Sequence, residues 1–515
     1  MAALTKSRRP MRARALLAAA ALVIALPAST SGAQSHPNPT DEFVNVLAAG
    51  GNAVALINSG QVFDGTTFEG IPDGLGIMPV GDGSQYIDIF VAFEQSHVPF
   101  GVFADHQDSS VQRARVDLAT QQIVELDEML PNKAGFIRFC SANMVGPDQG
   151  FTDYTFLVNE ESNDILPAKS RHVYDADAAI APYRQAGYSV WLDAETGQYA
   201  TIAGAGRMNH ENTLVVPGGW SGVVALTGDD TFTAPSSQLY LYSAASESAF
   251  KQDQGSLWAF RVTSKNTIAV DPALATNHAN DYLDMTLGDT LTGEFIEVPA
   301  DVARGTHGGQ PQADLEAWSN ANNVFQFIRV EDIAYDPDSP RTVYFTDTGS
   351  TVQPDLANER MRSGGTAQNG RVFKMVLNPS NPKVVDSFTV LADGNTAGFT
   401  RPDNLAVGHD TLMMQEDASS NPTNNDIWSY ALTGAGGPWT RVATVTQSTA
   451  ETSGIVDASE WLGDGWWIFD VQSHSTQKAF ATDLFYTVPI TGAVIGPYTS
   501  RRELGQLLLL YIPGS

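Results

Sequence analysis

From about residue 50 to its C-terminus the chain is written in short apolar runs, each closed by Gly, Asp, Asn or Pro, with few long stretches of helical periodicity. The runs at Tyr86–Phe93, 189–192, 223–226, 238–242, Ser256–Val262, 342–346, Arg371–Leu377, 411–415, 466–471 and 507–511 carry aromatic and β-branched residues over strand lengths. That pattern predicts an all-β protein. A helix is expected at 41–49, with helical or mixed insertions at 281–287 and 310–329.

Several segments share one design, in which an extended run meets an Asp-rich or Gly-rich turn and a second run follows. Examples are 190–197, 333–347 and 405–417. Strand pairs that recur about a radial axis are the sequence form of a β-propeller blade. The spacing is irregular, so the blades are expected to carry long insertions and a few short helices. No composition break marks a boundary. A propeller divides its core between blades, so 34–515 is expected to form one domain.

The first 33 residues read as a signal peptide. Lys6, Arg8, Arg9, Arg12 and Arg14 precede an apolar stretch from Ala15 to Ala28, and small residues follow to Ala33. Ser7-Arg8-Arg9 also fits a twin-arginine export signal. No later run approaches ~20 apolar residues. The mature protein is therefore expected to be secreted or periplasmic, without stable membrane insertion, and monomeric.

The chain has 58 acidic and 29 basic residues. Loss of the leader removes five basic residues and no acidic ones, leaving 24 against 58 and a net charge of −34. Such a charge argues against nucleic acid or an anionic membrane as the partner. It would also repel an anionic substrate unless metal ions or local arginines reversed the sign inside a pocket. Clustered carboxylates also suit Ca²⁺.

Charged residues recur beside the predicted strands. Cys140, the only cysteine in 515 residues, is followed by Glu160-Glu161 at the end of an apolar run. Further segments are Gly206-Arg-Met-Asn-His-Glu211, Thr227-Gly-Asp-Asp230, Arg329-Val-Glu331, Arg401-Pro-Asp403-Asn404 with Gln415-Glu416-Asp417, and Val471-Gln-Ser-His474. Each has a structural alternative. Cys140 reads as a small buried hydrophobe, Asp229-Asp230 and Pro402-Asp403-Asn404 as turns, and Arg329 with Glu331 as an ion pair on one strand face. Their recurrence before apolar strands makes the joint case. Inner strands of a propeller converge on a channel, where crowded carboxylates are tolerable only around cations. A thiolate among carboxylates is unsuited to calcium alone and fits a transition metal beside it. No Gly-x-Ser-x-Gly, Walker A or His-Glu-x-x-His motif competes.

At these residues the chain resembles the secreted PhoX-type alkaline phosphatases, a family of six-bladed β-propellers with a mixed iron and calcium centre. The resemblance runs from about Ile71 to His474. Cys140 with Glu160-Glu161, the Gly206-to-Glu211 segment, Arg329-Val-Glu331 and Arg401-Pro-Asp403-Asn404 match its motifs. The Thr-Pro-Trp-Gly run that follows the family's cysteine is absent, and the family's Thr-Glu-Asp stands here as Thr227-Gly-Asp-Asp230. The resemblance implies that Cys140, Glu211 and Glu331 hold iron. It implies that Glu161, Asp403 and Glu416 or Asp417 serve calcium or bridge the cluster, and that Arg329 binds the substrate phosphate. The expected function is a secreted metal-dependent phosphomonoesterase acting on small-molecule phosphate esters. The alternatives are a calcium-only phytase-like esterase or lactonase propeller, and a non-catalytic calcium-binding propeller.

Overall fold

The computed structural model describes residues 37–515 except 82, 99–106, 168–182, 232–236, 265–284, 306–308, 350–368, 418–424, 434–435 and 448, and the side chains of 475–478 and 480. The expected leader and residues 281–284 of one expected insertion lie outside the described residues. Among the described residues six antiparallel groups of four strands can be traced when the nine-stranded sheet is divided at Thr290–Glu297; Val44–Val46 adds a fifth strand to one, and Val62–Phe63 with Thr66–Thr67 and Ile165–Pro167 with Tyr183–Gln185 form separate pairs. Each group opens with an inner strand. In chain order these are Pro72–Pro79, Phe139–Val145, His210–Val215, Val330–Asp336, Pro402–Val407 and Glu451–Asp457. The strands paired to them are Tyr86–Phe93, Thr155–Glu160, Val223–Asp229, Ser339–Asp347, Thr411–Glu416 and Trp466–Thr487.

Consecutive inner strands lie side by side, and the last contacts the first, so the ring closes. The last group takes its outermost strand from the other end of the chain. Asn52–Asn58 pairs with Val494–Tyr511, which pairs with Trp466–Thr487. The fold is an all-β propeller. Among the described residues its helices are short, the longest being Pro311–Ala321.

The second strands at Tyr86–Phe93, Thr155–Glu160, Val223–Asp229 and Thr411–Glu416 are packed on both faces, which is why they read as near-continuous apolar runs. In Tyr86–Phe93 every residue after Tyr86 is buried. Outer strands such as Gln122–Leu130 alternate between buried and solvent-facing residues. The third and fourth groups meet over a nest of phenylalanines. Phe327 lies 4.6 Å from Phe325, 5.5 Å from Phe345 and 5.3 Å from Phe373 between ring centroids. The pairs with Phe345 and Phe373 are edge-to-face and add to the stabilisation from buried area.

Three local expectations change. Residues 41–49 are not helical; Val44–Val46 is an edge strand paired with 443–445, which buries Phe43 and Val44. The expected insertion at 310–329 is helical only over Pro311–Ala321. Beyond it the backbone is extended, with Phe325 and Phe327 bonded to Phe260 and Ser237. The described residues of 281–287 are turn or coil.

Candidate metal centre

The same corner is built in successive groups. The second residue of each inner strand is, in order, Asp73, Cys140, Glu211, Glu331, Asp403 and Thr452. In the first five groups the pairing to the second strand shifts register just past this residue. Such bulges bend the strand and re-aim side chains. The residue before it pairs with Phe93, Glu160, Asp229, Asp347, Glu416 or Gln472. One step further along the second strand stand Glu94, Glu161, Asp230, Thr348, Asp417 and Ser473. A recurring hydrogen bond ties the corner. The amides of Glu94, Glu161, Asp230, Thr348 and Asp417 donate to the carbonyls of Ile71, Arg138, Asn209, Arg329 and Arg401 at 2.9 to 3.1 Å. Four of those carbonyl residues, Ile71, Arg138, Arg329 and Arg401, have φ of +56°, +48°, +64° and +49°. This left-handed backbone is uncommon outside glycine and is often found at functional sites.

These corners bring two sets of donor atoms together, each set within 4.8 Å: Asp73, Glu94 and Cys140, and Cys140, Glu161 and Glu211. Cys140 belongs to both. The first set needs close approach of two inner strands at Gly74, where a Cβ would lie 2.2 Å from the Ala142 nitrogen. Several members are held in place. Asp73 accepts from Ser453 Oγ at 2.6 Å and Gln472 Nε2 at 2.7 Å, and Glu331 accepts from Thr348 Oγ1 at 2.7 Å. Arg329 presents its fork to Asp230, with Nε and Nη2 at 2.8 and 2.7 Å, and Nη2 lies 3.4 Å from Glu331 Oε1.

Glu211 is different. Among the described residues no N–H or O–H group meets either of its buried carboxylate oxygens, and the Cys140 thiol is the one polar group set to bond them. A buried carboxylate left in that state is costly unless a cation meets it. The donor set, one thiolate among carboxylates, fits a borderline transition metal with hard cations beside it. The residues present therefore fit a metal cluster.

The electrostatics agree. Burial pushes the Cys140 thiol well above its ordinary value, reinforced by Asp73, Glu211, Glu161 and Glu94. Burial also raises Glu161, helped by Asp230 and Glu94, and Glu211, helped by Asp403 and Asp230. Glu331 is raised by burial and by Asp230, with Arg329 opposing. Asp403 is raised by burial and Asp417, and Asp73 by burial and Glu94. Without cations these groups would resist ionising together.

The expected site residues divide accordingly. Cys140, Glu161 and Glu211 come together in one set. Glu331 and Asp403 adjoin it electrostatically, through Glu211 and Asp230. Asp417 takes the corner position and acts on Asp403 and Arg329. Glu416 is not brought to the cluster. It pairs with Pro402 in the ladder, and its two oxygens accept from the backbone amides of Thr400 and Asp426 at 2.7 and 3.1 Å. Glu160 is placed alike, bonded to the amides of Ile137 and Tyr188. Arg329 precedes its strand in a left-handed conformation, so it meets Glu331 through the corner and not through strand alternation. Asp73 and Glu94 join the site without being among the expected residues, although Pro72-Asp73-Gly74 parallels Pro402-Asp403-Asn404 and Glu94 ends its apolar run as Glu161 does.

A family model described as alkaline phosphatase PhoX matches residues 148–460. No curated protein matches the chain by sequence. Among solved structures, Pseudomonas fluorescens PhoX in complex with vanadate, a transition state analogue, aligns with a TM-score of 0.60 at 14% identity, over 93% of this chain and 97% of that one. A luciferin-regenerating enzyme gives 0.36 at 8% identity, over 87% and 92%. The PQQ-bound aldose sugar dehydrogenase of Streptomyces coelicolor gives 0.30 at 10% identity, over 89% and 98%. The first likeness supports the propeller assignment.

Proposed function

The chain belongs to the alkaline phosphatase PhoX family, and from that premise we propose that it is a metal-dependent phosphomonoesterase, exported after loss of residues 1–33, with 34–515 as its single domain. Its substrates are small phosphate esters. The observation that carries the reading is the gathering of Cys140, Glu161 and Glu211 within 4.8 Å, with neither Glu211 oxygen met by an N–H or O–H group among the described residues. Cys140, Glu211 and Glu331 would hold iron. Glu161, Asp403 and Asp417 would serve calcium or bridge the ions, and Asp73 and Glu94 would complete the side nearest Cys140. When bound, the cations supply Lewis-acid neutralisation of the phosphoryl and leaving oxygens.

The protein's own residues do the rest. Arg329, with its Nε–Nη2 edge held by Asp230, would turn the opposite edge of its guanidinium to phosphoryl oxygens, and it stays charged at alkaline pH. Asp230 fixes the plane of that guanidinium. The Thr348 hydroxyl orients Glu331, while Ser453 and Gln472 orient Asp73. Burial of the carboxylates keeps the site's dielectric low, so each oriented charge acts more strongly than in water. The vanadate bound by the Pseudomonas fluorescens protein is the kind of anion we expect this site to take.

Elemental analysis and aryl phosphate turnover, measured on protein purified through its native export route, test the reading. Iron with calcium and phosphate release are expected. Calcium alone with no phosphate release would overturn it.

A further inference from the structure

Arg138 occupies the same place in its corner as Arg329. It precedes Cys140 by two residues, as Arg329 precedes Glu331, and shares the left-handed backbone at φ +48°. Its carbonyl accepts from the Glu161 amide, as that of Arg329 accepts from Thr348. Each guanidinium is also anchored by a carboxylate. Nη2 of Arg138 lies 3.0 Å from Asp164 Oδ2, and Nη2 of Arg329 lies 2.7 Å from Asp230 Oδ2. Each stands beside a cluster carboxylate, which its charge favours in the ionised form: Glu94 for Arg138 and Glu331 for Arg329.

The two therefore flank the cluster. Arg138 is on the side of Asp73, Glu94 and Cys140. Arg329 is on the side of Glu211, Glu331 and Asp403. Of the residues in the two donor sets, Glu94 and Cys140 keep partial exposure, so the cluster is reached by solvent beside Arg138 as well as beside Arg329, whose side chain is 21% exposed. Arg138 itself is 8% exposed. A phosphate dianion entering there meets a floor of carboxylates, and the Arg138 guanidinium, its side chain 10% exposed, supplies the opposite sign among them.

We propose that Arg138 is a second substrate-binding arginine, which holds phosphoryl oxygens from the flank opposite Arg329. The proposal rests on the phosphomonoesterase reading. A planar fork beside a shared anion gives orientation as well as charge, which a lysine cannot reproduce.

Calorimetric titration of the metal-loaded protein with inorganic phosphate is the primary test, because it needs no turnover. Arg138→Gln should weaken phosphate binding tenfold or more and raise KM for an aryl phosphate more than it lowers kcat, with iron and calcium content unchanged. Arg138→Lys should recover part of the affinity. If Arg138→Gln does not fold, Arg138→Lys decides, with a loss of threefold or more expected. Phosphate affinity within twofold of wild type in the folded variant overturns the proposal, whether or not the melting temperature falls. A parallel fall in melting temperature for Asp164→Asn would then identify a structural ion pair. Failure of the wild-type protein to bind phosphate would instead overturn the functional reading itself, before any variant is compared.

Discussion

The Asp230–Arg329 fork is the contact on which the proposed phosphate site depends most directly, and Asp230→Asn tests it. Asp230 is fully buried and the Arg329 side chain is 21% exposed. The two bonds, at 2.8 and 2.7 Å, are short, parallel and charge-assisted. The amide keeps the size and one acceptor but loses the charge, and its NH₂ group faces a donor. Removing one partner of a buried pair costs ~3–5 kcal/mol when the remaining charge is left uncompensated. Here Glu331 Oε1, 3.4 Å from Nη2, remains to receive that charge, and the guanidinium is partly solvated. We therefore expect a loss of about 2–3 kcal/mol in the metal-loaded protein. The guanidinium should turn toward Glu331, away from the substrate. That should lower kcat/KM at least tenfold, which corresponds to ~1.4 kcal/mol. Urea unfolding at saturating calcium measures the first effect, and aryl phosphate kinetics on the folded variant the second. Full kcat/KM in a destabilised protein would show that Asp230 and Arg329 form a strut with no role in catalysis. Unchanged stability and unchanged kinetics would remove the pair from the account altogether.

Prolonged chelation should abolish aryl phosphate hydrolysis, and added calcium should restore part of it; full activity in demonstrably metal-free protein would refute the metal requirement. Cys140→Ser keeps the side-chain size but weakens the hold on a borderline metal, so the folded variant should lose iron and most of its turnover; native iron content and rate would make Cys140 packing only. Glu331→Gln should reduce metal content, whereas Arg329→Lys should keep metal and lose about tenfold or more in kcat/KM. If both variants instead lose stability together but keep native metal content and turnover while folded, the two residues form only an ion pair.

The strand pattern was legible where apolar residues dominate a run, whether it is buried on both faces as in Tyr86–Phe93 or on one as in Ser256–Val262. Tyr86–Phe93, Ser256–Val262 and Arg371–Leu377 begin and end where their apolar runs do. The edge strand Val44–Val46 was not, because an edge strand with one partner shows little alternation. Nor was the length of the hairpin Trp466–Thr487 and Val494–Tyr511, which runs well past its apolar base at 466–471 and 507–511. In the site, Glu161 and Asp417 could be read because they end apolar runs. The choice between Glu416 and Asp417 could not, because neighbouring strand residues face opposite ways. It is decided by register: once Pro402 pairs with Glu416, the corner passes to Asp417, and Glu416 turns to the amides of Thr400 and Asp426. Asp73 and Glu94 carried the same signals as Asp403 and Glu161. They stood out only when the ring placed the first group beside the second.

That closure has an energetic consequence. Each corner alone would leave one or two carboxylates near water at little expense. Ring closure packs Asp73 and Glu94 against Cys140, and Glu161 and Glu211 against Asp230, Glu331 and Asp403, and burial raises these groups before any neighbour acts. Folding without cations therefore requires either proton uptake or uncompensated buried charge, and both oppose the last strand pairings. Under the proposed function, cations that bind the closed ring and not the open chain reverse that opposition by mass action. The final pairing, Asn52–Asn58 onto Val494–Tyr511, joins the two ends of the chain and stands beside the Asp73 corner. Metal binding and ring closure would then be one linked equilibrium. This explains how a chain of net charge −29 can bury so many acids around one thiol and still present arginines to an anion.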